Sequence, residues 1–463
     1  MLTRSRSRWG MPCLVLIAMT SVGVSPARGG WKAGVARGKI TPVEPMWMAG
    51  YGGRDKPAQS TLQDLWVKAL ALEDAAGHRV VVVTTDLLGL PRSISRNVCG
   101  QLESTYGLKR DDVMLTSSHT HCGPVLRGAL YDIYPLDDAR RARVEAYSTT
   151  LERKMVETVR QALERLSPAT VSAAQGTAGF AVNRRENRPE GDVPKLRKAG
   201  KLRGPTDHAV PVLRVLDPDG ALRAVVIGYA CHCTTLSFYQ WCGDYAGYAQ
   251  EYIEQRHEGM TALFYAGCGA DQNPLPRRTV ELAQDYGRQL ADAVDAVLAR
   301  PGETLEPVVR TAFTERELAL GKLPDRAALE QKAEKGAAYE KRWAERMLGK
   351  LDRGEKRITA YPYPIQAWRL GERQLWIALG GEVVVDYALR LKKELGDAIW
   401  VTGYANDVMA YIPSLRVLEE GGYEGDSSMR VYGMPTIWAE SVEERVVSGV
   451  HAMVAKVKAP SRK

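Results

Sequence analysis

Two imidazoles stand two residues apart in LTSSHTHCGP, residues 115–124, where an apolar strand runs out into a polar turn. Side chains alternate along a strand, so a strand continued through this stretch sets His119 and His121 on one side. Gly123-Pro124 then stops it. Neutral imidazole is a preferred zinc ligand and a general acid or base near neutral pH, so the pair points to a metal site or to proton transfer. An HxH pair alone is a weak signal; the other strand ends give it weight. Asp86, His232, Asp271, Glu382 and the pair Asn406-Asp407 each follow an apolar run. With His119 and His121, six separate segments deliver ligand-type side chains to strand ends, where ligands bind in open α/β sheets. This ties residues 80–411 into one site.

Two or three histidines and a carboxylate suit zinc with an open coordination position. The chain has no HExxH, which excludes a helix-borne metalloprotease site, and no GxSxG, which excludes the serine elbow of α/β-hydrolases. It has no GxxxxGK[ST] phosphate loop. A cysteine nucleophile is the internal rival, since Cys122 and Cys231 each neighbour a histidine. Adjacent strand residues face opposite ways, which argues against a Cys231–His232 pair.

The elements that must carry these residues are legible in the pattern. LQDLWVKALALEDAAGHRVVVVTTDLLGL reads as a hairpin whose second arm, Val80 to Val83, is buried on both faces. SISRNVCGQLESTYG is a helix, and DVMLTSS a second strand, giving a βαβ unit. ARRARVEAYSTTLERKMVETVRQALERL is a long amphipathic helix, followed by a strand pair leading to Asn183-Arg184-Arg185. Residues 186–208 read as a mobile loop, and Gly50, Gly52 and Gly53 as a turn or a close approach to a ligand. A DPDG hairpin ends near His232, and TALFYAGCGAD ends at Asp271. Residues 315–357, rich in Lys, Glu and Ala, read as a helical insertion on the surface. The expected fold is mixed α/β, with a largely parallel sheet flanked by helices and the site at its C-terminal strand ends. Residues 31–457 are expected to form one domain.

The first 30 residues are set aside as a signal peptide: Arg4, Arg6 and Arg8 precede an apolar run from Met11 to Val24. A secreted or periplasmic protein is therefore expected. Without those three arginines the formal charge falls from +8 to +5, and no basic stripe with interleaved aromatics marks a nucleic-acid partner. A weak attraction to anionic membrane surfaces fits the remaining charge. Of seven cysteines, Cys13 lies in the signal. Export permits disulfides among the other six, and the absence of CxxC argues against a thiolate zinc site.

The chain resembles the neutral (non-lysosomal) ceramidases. The resemblance rests on ITPVEPMWMAGYGGR, TTDLLG, SSHTHCGP, NRR, Cys231 to Thr235, GCGADQNP, GGE, and ANDVMAYIP followed by GGYEG, in order from residue 40 to about residue 433. It implies a zinc amidase that cleaves the N-acyl bond of ceramide, an N-acyl lipid, at or near a membrane surface. The resemblance assigns zinc to His119, His232, Glu382 and Tyr411, and places His121, Arg184 and Tyr423 around the scissile amide. Arg184 and Tyr423 are then oxyanion donors, and His121 a proton shuttle to the leaving amine. Asp271, from the strand-end reading, completes the catalytic set. The chain departs from the family at Asn273, where a serine is usual, and at Val408, where the first tyrosine of NxYxxY is usual. Many members also continue into a C-terminal β-sandwich. A zinc hydrolase acting on another N-acyl or ester substrate remains open, as does a secreted lipid- or carbohydrate-binding protein with a degenerate site.

Overall fold

The structure is a computed structural model that describes Met1, Leu2 and residues 30–458. The body of the expected signal segment lies outside the described residues. The first sheet contains β1 (Trp31–Lys39), β2 (Trp66–Glu73), β3 (Arg79–Thr85), β4 (Val113–Ser117), β5 (Ser167–Thr177), β6 (Ala209–Leu216), β7 (Leu222–Tyr229) and β8 (Thr261–Ala266). Their order is β8-β7-β6-β5-β1-β2-β3-β4, with a two-residue strand, Glu303–Thr304, added to β5. The second sheet has the order of the chain: β9 (Val309–Ala319), β10 (Ala360–Leu370), β11 (Gln374–Leu379) and β12 (Trp400–Thr402).

Four layers result. One face of the first sheet carries α1 (Arg92–Tyr106), α2 (Asp138–Glu164), α3 (Asp244–Arg256) and α4 (Val280–Leu298). Val81, Val83 and Leu115 pack there on Ile94, Val98, Leu151 and Met155, and Val225, Ile227 and Phe264 on Ile253, Leu290 and Val294. The alternate residues Val80, Val82, Met114, Val226 and Leu263 turn the other way and meet Trp368, Trp376 and Trp400 of the second sheet. The chain then adds α5 (Arg326–Lys335), α6 (Ala338–Asp352), α7 (Val385–Leu395) and α8 (Val442–Lys458). Ile365 and Ile377 face Tyr387, Leu391, Val446 and Val450 of α7 and α8 across the outer layer. With both faces covered, β3 and β4 are buried end to end except at Arg79, which is why they read as unbroken apolar runs. Among the described residues no helix is long and apolar enough to cross a membrane.

The fold is mixed α/β, but its parallel share is smaller than expected. Only β3–β4, β7–β8 and β11–β12 are parallel, each joined by a helical crossover through α1, α3 and α7. Every other pair in the two large sheets is antiparallel, because hairpins such as β2–β3 and β6–β7 can only return antiparallel. The insertion also differs from the expected surface helical arm. Its first residues belong to β9, paired along its whole length with β10, and only α5 and α6 are helical. An edge strand with one solvated face reads as charged, which hid β9 in the composition.

Candidate metal centre

The turn after β4 builds the histidine pair, and strand alternation does not. β4 ends at Ser117, and His119 sits in the left-handed region at φ 61°. A non-glycine residue held there stores about 1–3 kcal/mol, which the surrounding contacts must outweigh. Those contacts are Ser118 N–H to Thr85 O at 2.9 Å, His121 N–H to Cys233 O at 3.2 Å, and Thr120 Oγ1 to Cys242 O at 2.7 Å. They lay residues 119–121 beside 231–235, so His232 arrives next to His119. The His119 and His121 Nε2 atoms are 3.2 Å apart.

Glu382 and Tyr411 come together through a two-residue parallel ladder, Glu382–Val383 with Tyr411–Ile412, in which they are direct partners. Gly381, at φ 73°, permits it: a Cβ there would stand 2.7 Å from Ala410 O.

Four donors from these segments converge. Glu382 Oε2 lies 3.1 Å from His119 Nε2 and 3.1 Å from His232 Nε2, and Tyr411 Oη is 3.3 Å from His232 Nε2. His119 Nδ1 contacts Leu88 O at 2.6 Å and His232 Nδ1 contacts Gly269 O at 2.8 Å. Carbonyls only accept, so both Nδ1 atoms carry the proton and both Nε2 atoms present lone pairs. Glu382 Oε2, buried, has no hydrogen-bond donor among the described residues. Tyr411 Oη, and Arg184 Nη1 at 3.5 Å, can donate to His232 Nε2, and His121 Nε2 to His119 Nε2, but nothing donates to Glu382 Oε2, and its contacts with the two imidazole lone pairs are repulsive unless a cation lies between them. The residues therefore fit a divalent metal, and the N/O donor set suits zinc. His119, His121 and His232 themselves lie close enough to share an ion.

The electrostatics agree. Burial, reinforced by the Arg184 charge, pulls His232 down to about 4, and burial with the facing histidines pulls His121 well below the ordinary imidazole range. Both are neutral at pH 7. Burial would push the Glu382 carboxyl up, and only positive charge or a donor at the His119 and His232 edge holds it well below its usual range; neutral imidazoles supply neither, so the arrangement calls for a cation. Burial and the Glu382 charge push Tyr411 well up, so without a cation it is a neutral phenol; a bound cation reverses that local field.

Arg184 joins the cluster: Nη2 donates to Tyr411 Oη at 3.1 Å and Nη1 approaches Asn273 Oδ1 at 3.4 Å. Its Nε donates to Glu424 Oε1 at 2.7 Å, while Arg185 Nη1 donates to Glu424 Oε2 at 2.7 Å. Burial would raise the Glu424 carboxyl, but the Arg184 charge and both sets of hydrogen bonds hold it low. This clamp fixes the short helical turn Tyr423–Ser427, and the Tyr423 ring packs edge-on 5.2 Å from Tyr411. Arg184, Asn273, Tyr423 and Glu424 line an open cleft of about 700 Å³.

Asp271 does not join the donors. Its Oδ1 accepts from Val385 N at the start of α7 (2.8 Å) and its Oδ2 from Asn183 Nδ2 (3.2 Å), so it orients the strand end that carries Arg184. Asn406 bonds Leu115 N and Gln366, and Asp407 bonds Tyr361, away from the cluster. Asp86 accepts from Trp66 N. Val408 packs against Gly89. The described cysteines are all buried and free, and burial drives Cys122 up to about 12 and Cys231 well up, which removes the thiolate rival. Residues 186–208 are tied down by buried Asn187, bonded to Asn183 O at 2.8 Å and Arg203 O at 2.7 Å.

Several neighbours escaped sequence reasoning. Tyr432 Oη donates to Glu382 Oε1, and the Tyr404 ring lies 4.3 Å from His119. The Tyr51 ring lies 4.7 Å from His121. Gly50 and Glu424 stood inside motifs that carried the resemblance, but nothing marked Tyr404 or Tyr432. The insertion reaches the site through Tyr432: Trp343 Nε1 donates to Met434 O at 2.9 Å, Arg346 Nη2 to Gly433 O at 3.0 Å, and Arg430 pairs with Glu340 at 3.1 Å. Thus α6 braces the segment that holds the Glu382 carboxylate.

Residues 31–273 match the family model described as neutral/alkaline non-lysosomal ceramidase, N-terminal. The chain belongs to this family. Among relatives of this ceramidase-family chain, a neutral ceramidase of Pseudomonas aeruginosa is 25% identical over 275 residues, 56% of this chain and 39% of that protein. A neutral ceramidase of Drosophila melanogaster is 26% identical over 239 residues, 49% of this chain and 32% of that protein. The chain thus spans about a third to two fifths of the relatives it matches. The crystal structure of neutral ceramidase from Pseudomonas aeruginosa shares the fold, with TM-score 0.70 at 19% identity over 93% of this chain and 74% of that one. A ceramidase complexed with C2 gives TM-score 0.69 at 18% identity, over 94% and 77%.

Proposed function

We propose that this chain is an exported, zinc-dependent amidohydrolase that cleaves the N-acyl amide bond of ceramide or a related N-acyl lipid. The observation that carries the reading is the donor-free Glu382 Oε2 facing two imidazole lone pairs, next to Tyr411, whose partner Arg184 lines an open cleft with Tyr423. His119, His232, Glu382 and Tyr411 would hold the zinc, which when bound supplies water activation and polarisation of the acyl carbonyl.

The chain's own groups do the rest. Arg184 presents fixed N–H donors, and the Tyr423 phenol stacks beside them, so negative charge developing on the acyl oxygen meets preorganised donors. Each such donor is worth about 10²–10³ in rate. His121, neutral at rest, turns its Nε2 edge toward the same cluster and can relay a proton to the leaving nitrogen. Asn273 is buried, with its Oδ1 facing Arg184, and offers no nucleophile. The names of the relatives support ceramide as a substrate, and the basic and apolar residues between Arg4 and Val24 support export.

The test is a panel of N-acyl amides, ceramides of several chain lengths included, with chelator and with added zinc. Zinc-restored turnover on at least one amide is expected. Zinc-loaded protein inert on the entire panel would sink the amidase reading, and activity on short amides but not ceramide would discard the lipid.

A further inference from the structure

The carboxylates lining the cleft are already neutralised. Glu190 is held by Arg277 through Nε at 2.9 Å and Nη2 at 2.6 Å, and Glu424 by Arg184 and Arg185. The surplus is positive. Arg188 lines the same cleft and is exposed, and its Nε donates to Arg184 O at 3.1 Å. That bond orients the guanidinium, yet among the described residues no carboxylate pairs with it. The His121 side repeats the pattern. Arg278, next to the cleft residue Arg277, donates Nη1 to Tyr51 Oη at 2.8 Å and stacks on that ring at 5.0 Å. Arg54 stacks on the same ring at 5.0 Å and donates Nη1 to the Ala49 carbonyl and Nη2 to the Phe238 carbonyl. Neither has a carboxylate partner among the described residues, and the Tyr51 ring they flank rests against His121.

A guanidinium fixed through one N–H with its remaining N–H edge unpaired is a receptor for a planar or tetrahedral anion. Arg188 in the cleft lining and Arg278, exposed next to the lining residue Arg277, carry uncompensated charge that also raises the local concentration of anionic ligands. We propose that Arg188 and Arg278 are specificity-determining residues, and that the amine portion of the preferred substrate carries an anion, a carboxylate or a phosphate. The inference rests on the amidase reading and narrows its substrate: the neutral head group of a ceramide would leave both guanidiniums unused. The anion belongs on the amine portion because Arg278 acts from the His121 side, where the leaving nitrogen takes its proton.

The experiment uses the full zinc-loaded chain and three dodecanoyl amides: of glycine (carboxylate), of phosphoethanolamine (phosphate) and of ethanolamine (neutral). At low salt at least one anionic amide is expected to exceed the neutral one in kcat/KM about tenfold, chiefly through KM, and to lose that lead at high salt. Which anion leads tells carboxylate from phosphate. Arg188→Gln and Arg278→Gln should each cut the lead about threefold or more. A neutral amide turned over as well as both anionic ones, or a lead that survives both substitutions, overturns the proposal; the latter would mean the anion sits on the metal. The matching dodecylsulfonyl amides, which resist hydrolysis, are titrated in parallel by calorimetry. If no carboxamide is cleaved, the amidase reading fails, and the binding ratio alone decides the anion preference. A ratio near one overturns it, and a tenfold ratio reduced by Arg188→Gln supports it.

Discussion

Gly50→Ala tests whether His121 is placed by shape. The His121 Nδ1 is buried without a hydrogen-bond partner among the described residues, so apart from its Nε2 contact with His119 the ring is held by the Tyr51 face and by the backbone at Gly50. A Cβ on Gly50 would stand 2.3 Å from His121 Nδ1 and 2.5 Å from its Cγ, where ordinary contact begins at 3.4 Å. The ring must retreat by about 1 Å, a displacement that costs on the order of a hundredfold in rate when a reacting group is moved. Gly50 also has φ 103°, where an alanine adds about 1–3 kcal/mol of strain. The variant should therefore melt several degrees lower, keep its zinc, and lose about a hundredfold in turnover of an N-acyl amide. His121→Ala should lose about as much, and the double variant little more than either alone, because both changes remove one group. The assays are elemental analysis, thermal melting and steady-state kinetics. Gly50→Ala within threefold of the parent, or double-variant losses that multiply, would refute the placement of His121 by Gly50.

Four further outcomes are expected. His119→Ala and Glu382→Ala should each empty a site that otherwise holds about one zinc per chain, and full zinc in both by elemental analysis would remove the assignment. Tyr432→Phe should weaken zinc by about ten- to a hundredfold in chelator competition, because it frees the Glu382 carboxylate to rotate; unchanged affinity would reduce Tyr432 to packing. Asn273→Ser should change amidase activity by no more than about tenfold, the scale of one modest hydrogen bond, and a larger gain would point to a serine nucleophile. Burial raises Asp271 and Asp407 from 3.8 to about 7, so the folded state binds protons that the unfolded chain has released. Their contribution is full below about pH 4 and is lost as pH rises to about 7. The decline in urea midpoint between pH 5 and pH 8 should flatten in Asp407→Asn, and an unchanged slope would contradict the raised value.

The Val80 to Val83 run, the DPDG turn and the helix between Asp86 and DVMLTSS were enough to place a buried strand, a hairpin and a βαβ unit, because periodicity and turn chemistry are local. His119, His232 and Glu382 were legible for the same reason: each is a ligand-type side chain at the end of an apolar run. The direction of most strand pairs was not legible, since β1 pairs with both β2 and β5 across long stretches of chain. Nor was the charge on β9, a solvated edge that reads like a helix surface. The sequence resemblance named Tyr411 and Arg184, but their places come from contacts between distant segments: the Glu382–Tyr411 ladder, and the Arg184–Glu424 pair separated by 240 residues. Tyr432 has no signal of its own, being one tyrosine among 20 until packing against α6 turns its hydroxyl toward Glu382. Residue pattern reports burial and local backbone preference. Which side chains converge depends on loops with left-handed turns at His119 and Gly381, and long-range packing alone holds them there.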